Sequence, residues 1–292
     1  MIRHAMRLHK TFIATTAMLA VAGGLLLGGV VHAASGPAPR MERVVLDSLD
    51  VGSLQRGART FVNYCLNCHS ARFMRYNRLT DLGLTEAAIA ENLILTGRFE
   101  EGIDGTPQPV ATKVGDTMQI ALRPGDAKAW FGAPPPDLSV EARVRGTEWL
   151  YNYLIGFYRD DTSVTGWNNL IFPNVGMPHA LWEWSGVNRM VSTEYPSRPE
   201  AEGAAIAAKS LAVVAAAPDH KYVVRRLAVD TPGTMSAAEY RRAVGDLVNF
   251  MDYIAEPAKA TRVRAGIIVL LFLGVLFTVV YWLKREYWKE LH

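Results

Sequence analysis

The pentapeptide Cys65-Leu66-Asn67-Cys68-His69 restricts this 292-residue chain more than any other stretch, because it uses both cysteines of the protein at once. Two thiols separated by two residues, with an imidazole directly after them, form the attachment pattern of a c-type haem. Each thiol adds across one porphyrin vinyl group as a thioether, and the histidine beside them is placed to ligate the iron. A zinc site needs further ligands at similar spacing, and no second pair appears. A dithiol redox switch belongs between a strand and a helix, whereas the residues ahead of Cys65 read as helix. One haem c, held through Cys65 and Cys68 with His69 as an iron ligand, is therefore the first expectation.

Half of the chain is hydrophobic, a high share for a water-soluble protein. Arg3, Arg7 and Lys10 precede an uncharged run from Thr11 to Val31, and Val31-His32-Ala33-Ala34 follows. A basic start, an apolar middle and small residues at the end read as an export leader, residues 1–34, cut after Ala33 or Ala34. A retained N-terminal anchor is the other reading of that stretch, since its apolar run is long for a leader. Near the C-terminus, Ala265 to Leu283 is free of charge and long enough to cross a bilayer as a helix. Tyr281, Trp282, Tyr287 and Trp288 suit the interfacial aromatic belt. A leader followed by one stop-transfer helix places residues 35–264 on the exported, periplasmic side of a bacterial inner membrane and 284–292 in the cytoplasm.

The formal charge of +3 then carries little meaning. Without Arg3, Arg7 and Lys10 of the leader, and without Lys284, Arg285, Lys289, Glu286 and Glu290 of the tail, 25 basic residues face 26 acidic ones. Nucleic-acid binding would need a concentrated basic surface, and none is visible.

Within the exported part, Ser53 is placed to cap a short helix that runs into the haem motif, and Thr85 to cap a second that ends at Leu95. Residues 97–136 are rich in Gly, Pro and Asp and read as long loops around something larger than a side chain. After Pro134-Pro135-Pro136-Asp137-Leu138-Ser139, Ser139 can cap a helix with Leu150, Leu154 and Phe157 on one face. Prolines leave nearby carbonyl oxygens free of local bonding, so one of them can accept the second ring N–H of His69 and orient it. The plainer reading is that they only stop the preceding loop. Residues 185–235 give no readable fold, and Ala201 to Ala217 is alanine-rich. The clearest helix follows Ser236-Ala237-Ala238-Glu239, a capping-box pattern, with Tyr240, Val244, Leu247, Val248, Met251 and Ile254 at helical spacing.

A sixth iron ligand can come from Met74, Met118, Met177, Met190, Met235, Met251, His179 or His220. Met251 lies on an apolar helix stripe, and Met74 is too close to His69 in sequence to reach the opposite haem face easily. Met177 stands between Gly176 and Pro178 in an aromatic-rich loop, which favours it, although core filling is the commoner fate of a methionine.

These pieces together resemble the cytochrome c1 family, the haem subunits of ubiquinol:cytochrome c oxidoreductase, in a bacterial form. The resemblance rests on Cys65-Leu66-Asn67-Cys68-His69, on Pro135-Pro136-Asp137-Leu138-Ser139 with Arg143 four residues on, on Gly176-Met177-Pro178, and on the single C-terminal span. It implies a mainly α, class I cytochrome c-like haem domain with long loops and one transmembrane anchor. It implies His69 and Met177 as the axial ligands, Arg143 against a haem propionate, and the Pro136 region beside the haem. It implies cytochrome b, the Rieske iron–sulfur protein and cytochrome c as partners, membrane lipid around the anchor, and a dimeric complex. Two departures limit the transfer: Phe131-Gly132 stands where mitochondrial members carry Asn-Gly, and the additional cysteine pair of some bacterial relatives is absent. Glu100, Glu101 and Asp104 form the densest acidic cluster, either a solvated loop or a surface that steers a basic partner. The rival readings are an anchored cytochrome subunit of a terminal oxidase or nitric oxide reductase, and a haem peroxidase with an open iron site.

Overall fold

A computed structural model describes residues 39–289, so the leader, residues 1–34, lies outside the described residues. In chain order the elements are α1 (Val51–Thr60), a π-turn (Phe61–Cys65), β1 (Ala71–Arg75), a 3-10 segment (Tyr76–Leu82) and α2 (Glu86–Asn92). Next come β2 (Arg98–Glu101), β3 (Pro107–Val110), β4 (Thr117–Met118), α3 (Pro124–Phe131), α4 (Glu141–Arg145), α5 (Thr147–Ile155), β5 (Phe157–Arg159) and β6 (Trp167–Asn169). The remainder is α6 (Trp182–Ser185), β7 (Gly186–Tyr195), α7 (Arg198–Ala207), β8 (Ala212–Ala216), β9 (Tyr222–Pro232), α8 (Ala237–Ala255) and α9 (Lys259–Tyr287).

The centre of the domain is the crossing of α1 and α8. A Cβ on Gly57 would lie 2.1 Å from the Asp246 carbonyl oxygen and 2.6 Å from Phe250 Cβ, so only glycine lets the two backbones approach this closely. Polar contacts fix the crossing on either side of that point. The Arg56 guanidinium grips Asp246 with two bonds of 2.6 and 3.1 Å, and Asn249 Nδ2 donates to Asp47 O and Ser53 Oγ. Phe61 packs on Phe250 with ring centroids 5.6 Å apart, which carries the contact down to the haem motif.

Local signals fared unevenly. Ser236 and Glu239 make both bonds of the expected capping box on α8, and Thr85 caps α2. Asp50, three residues ahead of Ser53, is the cap of α1 instead, because its carboxylate accepts from Ser53 N. The helix expected from Ser139 is split into α4 and α5 at Gly146, whose φ of +86° breaks the turn. The loop-like stretch 97–136 holds the hairpin β2–β3 and the helix α3, which starts on Pro124 as a first-turn proline should.

Strands gather at the periphery. β1–β4, β2–β3 and β5–β6 are antiparallel pairs, and β7–β9–β8 is a three-stranded antiparallel sheet with Met190 opposite Leu227 and Val214 opposite Val224. α7 closes this sheet with a small core of Ala201, Ala205, Ala212 and Val224. Helices thus supply the main core, while the sheet over 186–232 is the part that sequence did not announce. α9 extends past both ends of the expected span of 265–283, and its apolar side chains, such as Leu270 and Phe277, are exposed. It is the one helix among the described residues long and apolar enough to cross a membrane.

Candidate haem site

The π-turn at the end of α1 aims the first thiol. Leu66 N bonds to Phe61 O five residues back at 3.0 Å, and such single π-turns recur at functional positions. Cys65 O then accepts from both Cys68 N at 3.1 Å and His69 N at 2.9 Å, folding the pentapeptide into a tight turn. Burial, with Cys68 beside it, pushes the Cys65 thiol up to about 12, and burial raises Cys68 as well. No disulfide joins the two cysteines.

His69 is nearly buried, and its Nδ1 lies 2.8 Å from the Pro136 carbonyl oxygen. A carbonyl can only accept, so Nδ1 carries the proton and the Nε2 lone pair is left free to ligate a metal. Burial holds the imidazole below its ordinary pKa, with the Pro136 bond pulling the other way. The proline run is held beside the histidine by a polar zipper. Leu138 N donates to Ser70 O at 2.8 Å, Arg72 N to Asp137 Oδ2 at 3.0 Å, and Phe73 N to Ser139 Oγ at 3.0 Å. Asp137 Oδ1 also accepts from Ser139 N at 2.9 Å. Ser139 is therefore an acceptor for β1 and not the helix cap that its position suggests.

Met177 is half-buried against Phe157, Trp167 and Val175. Its Sδ accepts from the Tyr153 hydroxyl at 3.4 Å, and burial pushes that phenol up to about 12. Two asparagines hold its loop in place. Asn169 Nδ2 donates to Tyr153 O at 2.7 Å while its Oδ1 accepts from Ile171 N and Phe172 N, and Asn168 Oδ1 accepts from Asn174 N at 2.8 Å. Behind the loop, His179 stacks on Phe157 at 4.8 Å and donates from Nε2 to Ser185 Oγ at 2.8 Å, whose own proton goes to Gly186 O. His179 is held neutral, its pKa drawn down to about 3 by burial.

The remaining sixth-ligand candidates are occupied elsewhere. Met74, Met118 and Met251 are core residues, Met190 is exposed on β7, Met235 packs at the edge of the core, and His220 is exposed in a left-handed turn. Arg143 lies 3.5 Å from Glu256 and is more than half exposed. Arg145, which sequence did not single out, has its guanidinium 4.6 Å from the Trp149 ring and 5.8 Å from Phe172, on the Met177 side. Nothing in an Arg-Val-Arg run distinguishes its two guanidiniums. On the hairpin, Glu100 is paired with Arg98, and Asp104 accepts from Thr106 at 2.7 and 3.1 Å, which holds its carboxyl below the usual range.

A cavity of about 550 Å³ opens against Cys68, walled by Asn67, Leu122, Arg123, Trp130 and Phe131 among others. A Cβ on Gly176 would sit 3.3 Å from Phe131 O, so the Met177 loop backs onto the same wall. Two thiols beside an apolar-lined cavity, an imidazole with its Nδ1 already bonded and a thioether presented by an aromatic loop make a donor set that fits a covalently attached haem.

A family profile described as the Cytochrome C1 family matches residues 41–190 and 231–291. A protein of Nitrosomonas europaea named ammonia monooxygenase gamma subunit is 40% identical over 275 residues, covering 92% of this chain and 96% of its own length. Cytochrome c1 of Allochromatium vinosum is 39% identical over 275 residues, covering 94% and 99%. Cytochrome c1 of Rhodospirillum rubrum is 27% identical over 293 residues, covering 96% and 98%.

Proposed function

This chain belongs to the cytochrome c1 family, and from that membership we propose that it takes one electron from the mobile Rieske iron–sulfur protein and hands the same electron to a cytochrome c. In this reading it is the haem subunit of ubiquinol:cytochrome c oxidoreductase, with cytochrome b as its membrane partner in a dimeric complex. One haem c, bound through Cys65 and Cys68, supplies a one-electron iron centre. The chain itself moves no proton and forms no bond during turnover, so it needs no acid, base or nucleophile.

The bond from His69 Nδ1 to Pro136 O carries the reading. It fixes the tautomer, aims Nε2 outward and makes the imidazole a stronger donor. Met177 Sδ is the proposed ligand on the opposite side, and a closed pair of protein ligands keeps coordination unchanged between redox states. For a propionate, Arg143 matches the family pattern and is paired with Glu256, whereas Arg145 is paired with Glu141 and faces the Trp149 and Phe172 rings. Either guanidinium can grip a carboxylate with two bonds. α9 is the proposed anchor, surrounded by lipid, with the haem domain on the periplasmic side and the tail in the cytoplasm. The monooxygenase name of the Nitrosomonas relative is not carried over, because the family profile over 41–190 and 231–291 and the Allochromatium and Rhodospirillum relatives all point to cytochrome c1.

Purification of the intact complex in mild detergent tests this reading. Cytochrome b and a Rieske protein are expected to accompany the chain; a copper or non-haem iron subunit in their place would overturn it. Ready cyanide binding by the oxidised protein would favour an open-site haem enzyme instead.

A further inference from the structure

Tyr153 occupies a position that core packing alone does not explain. Its ring stacks on Trp149, one turn earlier in α5, at 5.0 Å and 9°, and meets Phe157 edge-on at 5.2 Å and 69°. The Arg145 guanidinium lies over the Trp149 ring, 4.6 Å from its centroid. The ring is therefore held from several sides, and its single polar atom is left only one direction in which to act. Among the described residues the hydroxyl makes one hydrogen bond, 3.4 Å to Met177 Sδ, a normal length for an O–H donor on sulfur. A half-buried phenol gains more from a carbonyl or a water than from a weak sulfur acceptor, so packing alone does not select this partner. Asn169, which holds the Tyr153 carbonyl and two amides of the loop, sets the distance between α5 and that sulfur.

We infer that Tyr153 is a positioning residue for the sixth ligand: its hydroxyl holds one lone pair of Met177 Sδ, leaves the other free for iron, and raises the reduction potential. This rests on Met177 being that ligand. The physical cause is twofold. A donor on sulfur withdraws electron density and so weakens donation to ferric iron more than to ferrous. The O–H dipole also places its positive end toward the metal, which disfavours the more positively charged oxidised state. Occupation of one lone pair also limits rotation about the Cγ–Sδ bond, which selects one face of the thioether.

Replacement of Tyr153 by Phe keeps the ring and its stacking and removes only the hydroxyl. In the detergent-solubilised full chain with its haem, equilibrium redox titration of the Tyr153→Phe variant is expected to show a lower potential. At a fixed ambient potential the ferrous-to-ferric ratio falls measurably, by at most roughly 10-fold, the ceiling set by the full worth of one ordinary hydrogen bond. The upper end corresponds to about 59 mV for one electron. The weak long-wavelength band of a thioether-to-ferric-iron bond should persist in that variant. The same substitution placed on Met177→Leu should leave the potential of that variant unchanged, because the effect acts through the sulfur. An unchanged potential in Tyr153→Phe, with the thioether band present in the parent, would overturn this role and leave Met177 as ligand. Absence of the band in the parent would instead overturn the reading of Met177.

Discussion

The imidazole and the thioether of this domain are held by opposite means. His69 is placed by directional bonds: one to Pro136 O, backed by three more between residues 70–73 and 137–139 and one within 137–139. Met177 is placed chiefly by aromatic packing, with one hydroxyl-to-sulfur bond from Tyr153 and two asparagines that tether its loop. Hydrogen bonds fix a ring's rotation and tautomer, which a nitrogen ligand needs. Packing fixes only where a flexible side chain ends, which is enough for sulfur. The nitrogen side should therefore fail through lost backbone acceptors and the sulfur side through altered ligation at nearly constant stability.

The largest effect is expected at Asp137. Its carboxylate accepts two backbone N–H groups, so Asp137→Ala should lower unfolding free energy by roughly 2–4 kcal/mol in a denaturant titration. A loss no greater than that of an exposed surface substitution would break the contrast. Met177→Leu conserves volume and should cost less than about 1.5 kcal/mol of stability. The same variant should nevertheless show a lowered potential and new binding of imidazole or cyanide, followed by absorption. An unaltered spectrum would remove Met177 from the ligand set. The smallest effect belongs to neither side and serves as a control. Glu42 receives Leu211 N and the Arg241 guanidinium; burial alone would raise its pKa, but these partners hold its carboxyl below the ordinary glutamate range. A depressed folded-state pKa means that its contribution is present above the unfolded value and fades as pH falls through the folded one. Glu42→Gln should thus cost about 1 kcal/mol at neutral pH and nothing once both forms are protonated. A difference that grew on acidification would contradict the sign of that shift.

What sequence could show follows the same division. The nitrogen side is encoded in two short contiguous motifs, so the haem-attachment pattern stood out by residue type and spacing, while the proline carbonyl on His69 was one of two readings and the structure shows that bond. The zipper residues Ser70, Asp137 and Ser139 were not readable, because a side-chain oxygen in a loop can cap a helix or serve a distant strand, and only the fold decides. On the sulfur side Arg145, Trp149 and Tyr153 recur every four residues across α4 and α5, a spacing that reads equally well as ordinary helix packing, and Asn169 stands apart on β6. Its place between Gly176 and Pro178 in an aromatic-rich loop favoured Met177 among the candidates, and the resemblance then singled it out. The sheet over 186–232 escaped for another reason. Its central strand alternates imperfectly, its alanine-rich helix has almost no apolar face, and the family profile itself skips residues 191–230. That lobe is nonetheless joined to the rest through Arg40, which bridges to Ala212 and donates to Ala205 O.

Magnetic circular dichroism of the oxidised, detergent-solubilised protein in the near infrared is the most direct test of the central claim, that His69 and Met177 clamp one haem c from opposite faces. The account predicts a low-spin ferric centre with the charge-transfer band of imidazole and thioether ligation. A high-spin centre, or a band at the energy of two nitrogen ligands, would contradict it.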